Sequence, residues 1–199
     1  MSYDNKGIIL LEAPMDNKNG DDFKKSNTYN NLQKAFAGET SASGKYAIFG
    51  FKAKEDGYEQ IGNIFFETSG NEREHAEIWY KILNGGEIPC TLDNLKNAYG
   101  GEYFEWTEMY MNYAKEAKKE GYYDIAKLFE GVAKIEHHHD VRFRKLADNI
   151  MDNEVFCKSE KMVWVCLNCG NLVYDRCAPE VCPVCDYPQG YYQLNCENY

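Results

Sequence analysis

Apolar positions recur in this chain at alternating intervals of three and four over long stretches, the signature of one buried helix face. The first, about Tyr29 to Gly57, aligns Leu32, Phe36, Glu39, Ser43, Tyr46 and Gly50. The second, about Glu59 to Leu83, aligns Ile61, Phe65, Thr68, Glu72, His75, Trp79 and Ile82, then stops at Asn84-Gly85-Gly86, a helix-ending sequence. The third, roughly Gly100 to Glu120, puts Glu102, Glu105, Trp106, Met109 and Tyr113 on a face. The fourth, about Tyr122 to Ile150, carries Ile125, Phe129, Val132, Glu136, His139, Phe143, Leu146 and Ile150. Residues 1–28 mix a brief apolar run with Pro14, Gly20 and many Asn and Asp, and predict no element.

The second pair of helices echoes the first at an offset of 64 residues: Ala53, Lys54, Gly57, Tyr58, Ile61, Phe65, Glu72 and His75 return as Ala117, Lys118, Gly121, Tyr122, Ile125, Phe129, Glu136 and His139. Each half therefore reads as a helical hairpin, around Gly57 and around Gly121, and two hairpins make a four-helix bundle. The link from Asn84 to Tyr99 exceeds the usual ~2–8 residues between bundle helices and is expected to cross the bundle's length, a ferritin-like layout.

Acidic residues and histidines occupy these apolar stripes, where an unpaired buried charge is costly. Glu72-x-x-His75 and Glu136-x-x-His139 each place a carboxylate and an imidazole at i and i+3 on one face, a pair that can grip a metal ion. Glu39 and Glu72 lie 18 and 15 residues from Gly57, and Glu102 and Glu136 lie 19 and 15 from Gly121, so all four are expected at one level. One Glu from each of two helices plus Glu-x-x-His from the other two is the ligand set of ferritin-like di-iron and di-manganese proteins. The set is hard and oxygen-rich, suited to iron or manganese more than to zinc. Glu105, at i+3 from Glu102, can face the same site as a seventh ligand. His137 and His138 fall off the stripe and read as solvated residues or as neighbours supporting the ligands, and Glu108, off its own helix face, reads as solvent-exposed. Tyr46 follows Glu39 by seven residues but Tyr110 follows Glu102 by eight, which predicts a π-bulge between Glu102 and Tyr110. Either tyrosine could hydrogen-bond a ligand carboxylate or simply pack.

Composition narrows the function classes. With 44% apolar and 15% aromatic residues over 199 positions, the chain can bury one ordinary core plus a small satellite. Its 22 Lys and Arg against 32 Asp and Glu, a net charge of −10, disfavour nucleic acid and anionic membrane surfaces as partners. Gly7 to Leu11 is too short an apolar run for a secretion signal, and a cytoplasmic location is expected. Of 8 cysteines only Cys90 precedes Cys157, so metal ligation is a better reading than a disulfide framework.

Asp152 to Lys161 reads as a polar connector to a unit at 162–199. There Cys166-Leu-Asn-Cys169-Gly170 and Cys182-Pro-Val-Cys185 form two thiolate knuckles that close a tetrahedral iron or zinc site. Gly170 suits the positive φ of such a knuckle; Asp186, in the equivalent place, suits it less. A unit this small needs its metal as a staple, with Trp164, Tyr174, Tyr191 and Tyr192 as expected packing. Cys90, Cys157, Cys177 and Cys196 lie outside the knuckles and read as free thiols.

Over roughly residues 29–199 the chain resembles the rubrerythrin family, a ferritin-like di-iron domain (29–151) followed by a rubredoxin domain. The matching segments are Ala35-Phe-Ala-Gly-Glu39, Glu72-Arg-Glu-His75, Gly101-Glu102 through Glu105-Trp-Thr-Glu-Met-Tyr110, Glu136-x-x-His139 and the paired knuckles. The resemblance implies that Glu39, Glu72, Glu102 and Glu136 are the core carboxylates, with Glu72 and Glu136 bridging and His139 on one iron. It implies that Glu105 and His75 exchange on the other iron with oxidation state, and that Tyr46 and Tyr110 stand beside the ligands. It further implies reduction of hydrogen peroxide to water, with electrons relayed through the four-cysteine iron of Cys166, Cys169, Cys182 and Cys185 from an external NAD(P)H-dependent reductase. A head-to-tail homodimer is expected, because the last helix runs well past His139 before the connector. The rival readings are an iron-oxidising, ferritin-like protein and a helical scaffold with a structural zinc ribbon. The N-terminal 28 residues have no counterpart in the resemblance, and Asp186 replaces a glycine of free-standing rubredoxins.

Overall fold

The computed structural model describes Ser2–Tyr3, Ile9–Leu10 and residues 20–197. The chain divides into two compact units, Met1–Pro89 and Cys90–Tyr199.

In the first unit, strands β1 (Ser2–Tyr3) and β2 (Ile9–Leu10) pair antiparallel and helix α1 spans Gly20–Lys24, while the rest of the N-terminal extension lies outside the described residues. The long helix α2, Asn27–Glu55, starts where the Ser26 side chain accepts a hydrogen bond from the Tyr29 N–H at 3.1 Å, so it begins two residues before the sequence pattern does. It ends in a turn that Gly57 closes with φ 87°, the Tyr58 N–H reaching back to the Ala53 carbonyl at 2.8 Å. Helix α3 is Glu59–Leu83, as the periodicity predicts. The two helices approach through small residues: a Cβ on Gly62 would stand 3.0 Å from the Gly50 carbonyl oxygen, and one on Gly50 would stand 3.0 Å from the Phe66 ring. Ser43 and Ser69 fasten the same seam by donating to each other's carbonyls at 2.9 and 2.8 Å.

The second unit repeats this plan. Helix α4 (Thr91–Phe104), a π-helical turn (Glu105–Met109) and helix α5 (Tyr110–Lys119) run on into one another, and α6 spans Tyr123–Met151. Helix α4 therefore begins nine residues before the expected start, and the long crossover from Asn84 to Tyr99 shrinks to residues 84–90. Cys90 is its N-cap and Asp93 places a negative charge in its first turn, which favours a start there. The turn at Gly121 (φ 88°) copies that at Gly57, with Tyr122 N–H to Ala117 carbonyl at 2.8 Å. Ala114, Ala117 and Ala126 are buried at the positions that Gly50, Ala53 and Gly62 hold in the first hairpin. The aromatic packing repeats as well: Tyr46–Phe65 and Tyr110–Phe129 ring centroids are both 6.1 Å apart.

The C-terminal part is a three-stranded antiparallel sheet ordered β4-β3-β5, from Leu172–Cys177, Cys157–Cys166 and Tyr192–Leu194. β3 starts inside the stretch read as connector, which leaves residues 152–156. The small core is Trp164, Cys166, Ala178, Cys182 and Tyr192, with Phe156 and Val173 packed against it. Tyr174 and Tyr191, expected in that core, are 67% and 43% exposed: Tyr174 lies under the Lys161 ammonium, and Tyr191 sets its ring against Tyr187. Cys157 and Cys177, expected as free thiols, form a disulfide. They are register partners at the open end of β3 and β4, so strand pairing, invisible in their sequence spacing, brings the sulfurs together.

Candidate metal centres

Each hairpin carries one triad. In the first, Glu39 on α2 and Glu72 and His75 on α3 bring a ligand atom each to within 4.8 Å of one another. His75 Nδ1 stands 2.9 Å from a Glu72 oxygen and 3.9 Å from a Glu39 oxygen. In the second, Glu102 on α4 with Glu136 and His139 on α6 forms the same group, with His139 Nδ1 2.7 Å from Glu136 and 3.8 Å from Glu102. The i,i+3 spacing fixes the Glu-His contact within one helix, and the partner helix supplies the second carboxylate. The four carboxylate side chains are half-buried or better. Two carboxylates and an imidazole nitrogen on one point form a donor set that fits an iron or manganese ion.

The predicted π-bulge is present between Glu102 and Tyr110. It begins at Glu105, absorbing the extra residue that separates the two halves of the repeat. Glu105 is not among the triad's closely grouped atoms but is near enough to act on it. Burial first, then a hydrogen bond and charge repulsion from Glu136, with Glu105 adding to them, raise the Glu102 carboxyl above the usual carboxylate range. Burial and the charges of Glu105 and Glu136 likewise raise the Tyr110 hydroxyl, so that it stays a donor. Tyr46 packs on Phe49 and Phe65. Glu108 is exposed, as expected; His137 and His138 are exposed too, His137 with its ring 4.6 Å from that of Trp106 and His138 accepting a hydrogen bond from Arg142 at 2.9 Å.

Sequence reasoning missed Asp140, the residue after His139. It is 4% exposed, accepts a hydrogen bond from Trp106 Nε1 at 3.0 Å and is held by the Arg144 guanidinium, which stacks 4.2 Å from the Tyr99 ring. The i,i+4 spacing of Asp140 and Arg144 was the available signal.

The four knuckle cysteines also converge, with Cys166–Cys185 and Cys169–Cys182 sulfurs 3.8 and 3.7 Å apart. A tetrahedron with metal–sulfur bonds of about 2.3 Å has edges of roughly 3.8 Å, so the cage fits a tetrahedral ion. Gly170 and Asp186 take φ values of 76° and 58°, and their N–H groups donate to the Cys166 and Cys182 carbonyls at 2.8 and 3.0 Å. The aspartate thus adopts the glycine-like conformation, and both knuckles close alike. A hydrogen bond from Tyr192 draws the Cys182 thiol down to about 6. At Cys169 the Asn171 N–H favours the thiolate, yet the neighbouring sulfurs and burial push the thiol up to about 12. Four thiols this close cannot all ionise without a cation.

Comparison with known proteins agrees with this arrangement. The rubrerythrin family profile matches residues 30–147, and the profile of the rubrerythrin rubredoxin-like domain matches residues 164–193. Rubrerythrin-1 of Clostridium acetobutylicum is 42% identical over 191 residues, spanning 88% of this chain and 98% of that protein. Rubrerythrin of Nitratidesulfovibrio vulgaris is 40% identical over 182 residues, 86% of this chain and 95% of its own length. A solved mixed-valence nigerythrin is 27% identical over 85% of this chain and 87% of its own, with a TM-score of 0.32. The fold class read from the sequence therefore stands: a mainly helical, ferritin-like domain followed by a small rubredoxin-like sheet. With its di-iron domain and its four-cysteine, rubredoxin-type iron site, the chain belongs to the rubrerythrin family.

Proposed function

We propose that the chain is a non-haem di-iron peroxidase that reduces hydrogen peroxide to water. The observation that supports this best is the pair of matched triads, Glu39/Glu72/His75 and Glu102/Glu136/His139, on the same chain as a complete four-cysteine cage. In this reading Glu39, Glu72 and His75 would hold one iron of the di-iron pair and Glu102, Glu136 and His139 the other, with Glu105 as an additional ligand. When bound, two ferrous ions supply the two electrons that cleavage of the O–O bond consumes.

The chain's own residues set the conditions for that chemistry. Glu72 and Glu136 each sit against an imidazole Nδ1, at 2.9 and 2.7 Å, so each of the two helices would offer a cation one oxygen and one nitrogen donor. Burial first, and then the neighbouring Glu136, hold the Glu102 carboxyl above the usual carboxylate range, a cost to the anion that positive charge would relieve. Tyr110 keeps its proton and is suited to donate it to an acceptor among the carboxylates. Glu105 starts the π turn, where backbone hydrogen bonding is already irregular, and this favours its movement onto and off a metal.

In this proposal Cys166, Cys169, Cys182 and Cys185 would hold an iron able to pass on single electrons, and a separate NAD(P)H-dependent reductase would supply them. A head-to-tail homodimer that brings one subunit's small domain to another's helices would shorten the transfer. No helix among the described residues is long and apolar enough to cross a membrane; we place the protein in the cytoplasm.

The test is stopped-flow reoxidation of the anaerobically reduced, iron-loaded protein by hydrogen peroxide and by dioxygen, with iron counted before and after. Rapid peroxide consumption at constant bound iron is expected. Dioxygen-driven growth of an iron store would instead favour a ferritin-like role, and a colourless zinc-only protein that iron cannot redden would favour the scaffold reading.

A further inference from the structure

The disulfide between Cys157 and Cys177 has no part in either metal site. Cys157 opens β3 and is half-buried; Cys177 closes β4, an edge strand, and is exposed. The next register partners are Met162 and Asp175, so residues 158–161 of one strand face only Arg176 of the other. The ladder is interrupted at the point where the helical part of the chain enters the small sheet. Beside the disulfide, the Ala178 N–H donates to the Phe156 carbonyl at 2.8 Å, and Phe156 packs on the core that holds Cys166 and Cys182. The segment enclosed by the bond contains the first knuckle, Cys166 and Cys169.

A unit already stapled by four cysteines through a metal does not need a second permanent staple for its fold. An exposed disulfide is also open to attack by reductants, as labile and regulatory ones are. We propose that Cys157 and Cys177 are a reversible thiol redox site, closed by hydrogen peroxide and opened by dithiols, whose closed form locks Phe156 and the connector onto the small sheet. This goes beyond the peroxidase reading and does not rest on it.

The chemistry balances with peroxide as oxidant. The Cys177 thiolate, the more accessible of the two, attacks one peroxide oxygen; the O–O bond breaks, hydroxide leaves and takes up a proton to become water, and Cys177 becomes a sulfenic acid. The Cys157 thiolate then attacks that sulfur, the S–O bond breaks, and a second water leaves. Two thiols lose two electrons and the peroxide gains them. A dithiol reverses the bond by two exchanges and is itself oxidised.

The test uses the full chain with its iron in place. It is reduced with dithiothreitol, desalted without oxygen, given hydrogen peroxide in small excess over iron, alkylated with iodoacetamide and mapped by peptide mass. The expected result is a Cys157–Cys177 cross-linked peptide that dithiothreitol abolishes, with the red ferric-thiolate absorption retained in both states. Alkylation of both cysteines after peroxide, or a bond that resists dithiothreitol while that absorption persists, overturns the proposal. Hydrogen exchange of the amides at 156–158 is expected to slow about tenfold in the closed form; equal exchange in both states overturns the locking. The peroxidase reading is tested by the separate stopped-flow reoxidation of the fully reduced protein, so its failure and failure of the thiol site are separate results.

Discussion

Trp106 donates its indole N–H to the carboxylate of Asp140 across 3.0 Å, tying the π turn to α6 one residue after His139. This contact crosses the seam where the extra residue of the second hairpin is accommodated. It holds the π turn in register, and with it Glu105.

Asp140→Ala is therefore expected to cost about 2–3 kcal/mol, because it leaves a partly buried indole N–H and the Arg144 guanidinium without their acceptor. Trp106→Phe should cost about 1–2 kcal/mol, since ring packing largely survives. The double variant should lose less than the sum of the two. Urea unfolding of the metal-free protein measures all three, and strict additivity would mean that the hydrogen bond contributes nothing of its own.

Glu105→Ala leaves both triads intact and removes only the proposed additional ligand. Peroxide-driven reoxidation should slow at least tenfold, about 1.4 kcal/mol in barrier, with far-ultraviolet circular dichroism unchanged. Wild-type kinetics in this variant would reduce Glu105 to a packing residue.

Much of the candidate site was legible because its residues break a pattern. Glu39, Glu72, His75, Glu102, Glu136 and His139 stand on stripes that otherwise bury apolar groups, and the repeat marks them twice. The π turn was legible too, as one residue too many between Glu102 and Tyr110. What was illegible depends on pairing between segments. The partnership of Cys157 with Cys177 follows from strand register across an interruption, and no spacing rule encodes it. The early start of α4 was hidden by Asn94, Lys96 and Asn97, polar residues that dilute the Leu92, Leu95 and Tyr99 stripe. Asp140 escaped because a charged residue beside His139 looks like solvent-facing surface until Trp106 is placed opposite it.

The two hairpins should respond oppositely to the same substitution. Gly62→Ala gains about 1 kcal/mol of helix propensity, but its Cβ would sit 3.0 Å from the Gly50 carbonyl and 2.6 Å from the Lys54 side chain, so a net loss of about 1–2 kcal/mol is expected. Gly131→Ala, on α6 with nothing within 4 Å, should be stabilising by about 0.5–1 kcal/mol. Thermal melts of both variants check the pair.

Metal-free protein should become more stable when Glu102 is neutralised. Because its folded pKa is raised, the folded chain holds a proton at Glu102 more tightly than the unfolded chain does. The stability linked to that proton is complete below the unfolded carboxylate pKa and is lost as pH rises through the folded one. At neutral pH the carboxylate is thus a net cost to the apo fold, and Glu102→Gln should raise the apo melting temperature while lowering iron uptake. An apo melting temperature that falls would show that Glu102 is stabilised by its neighbours as an anion.

Tyr192→Phe probes the four-cysteine cage from the thiol side. The Tyr192 hydroxyl is the largest single influence holding the Cys182 thiol down at about 6, so in the metal-free protein Cys182 is largely a thiolate at neutral pH. Removing that hydrogen bond should move the midpoint of its pH-dependent alkylation upward, toward that of an ordinary thiol. The site would then enter metal binding with one more proton to release, so iron loading at pH 6 should weaken more than loading at pH 8. Alkylation rates of Cys182 by peptide mapping, set beside iron titrations at the two pH values, test both halves; a midpoint unmoved from wild type would remove Tyr192 from the account of the cage.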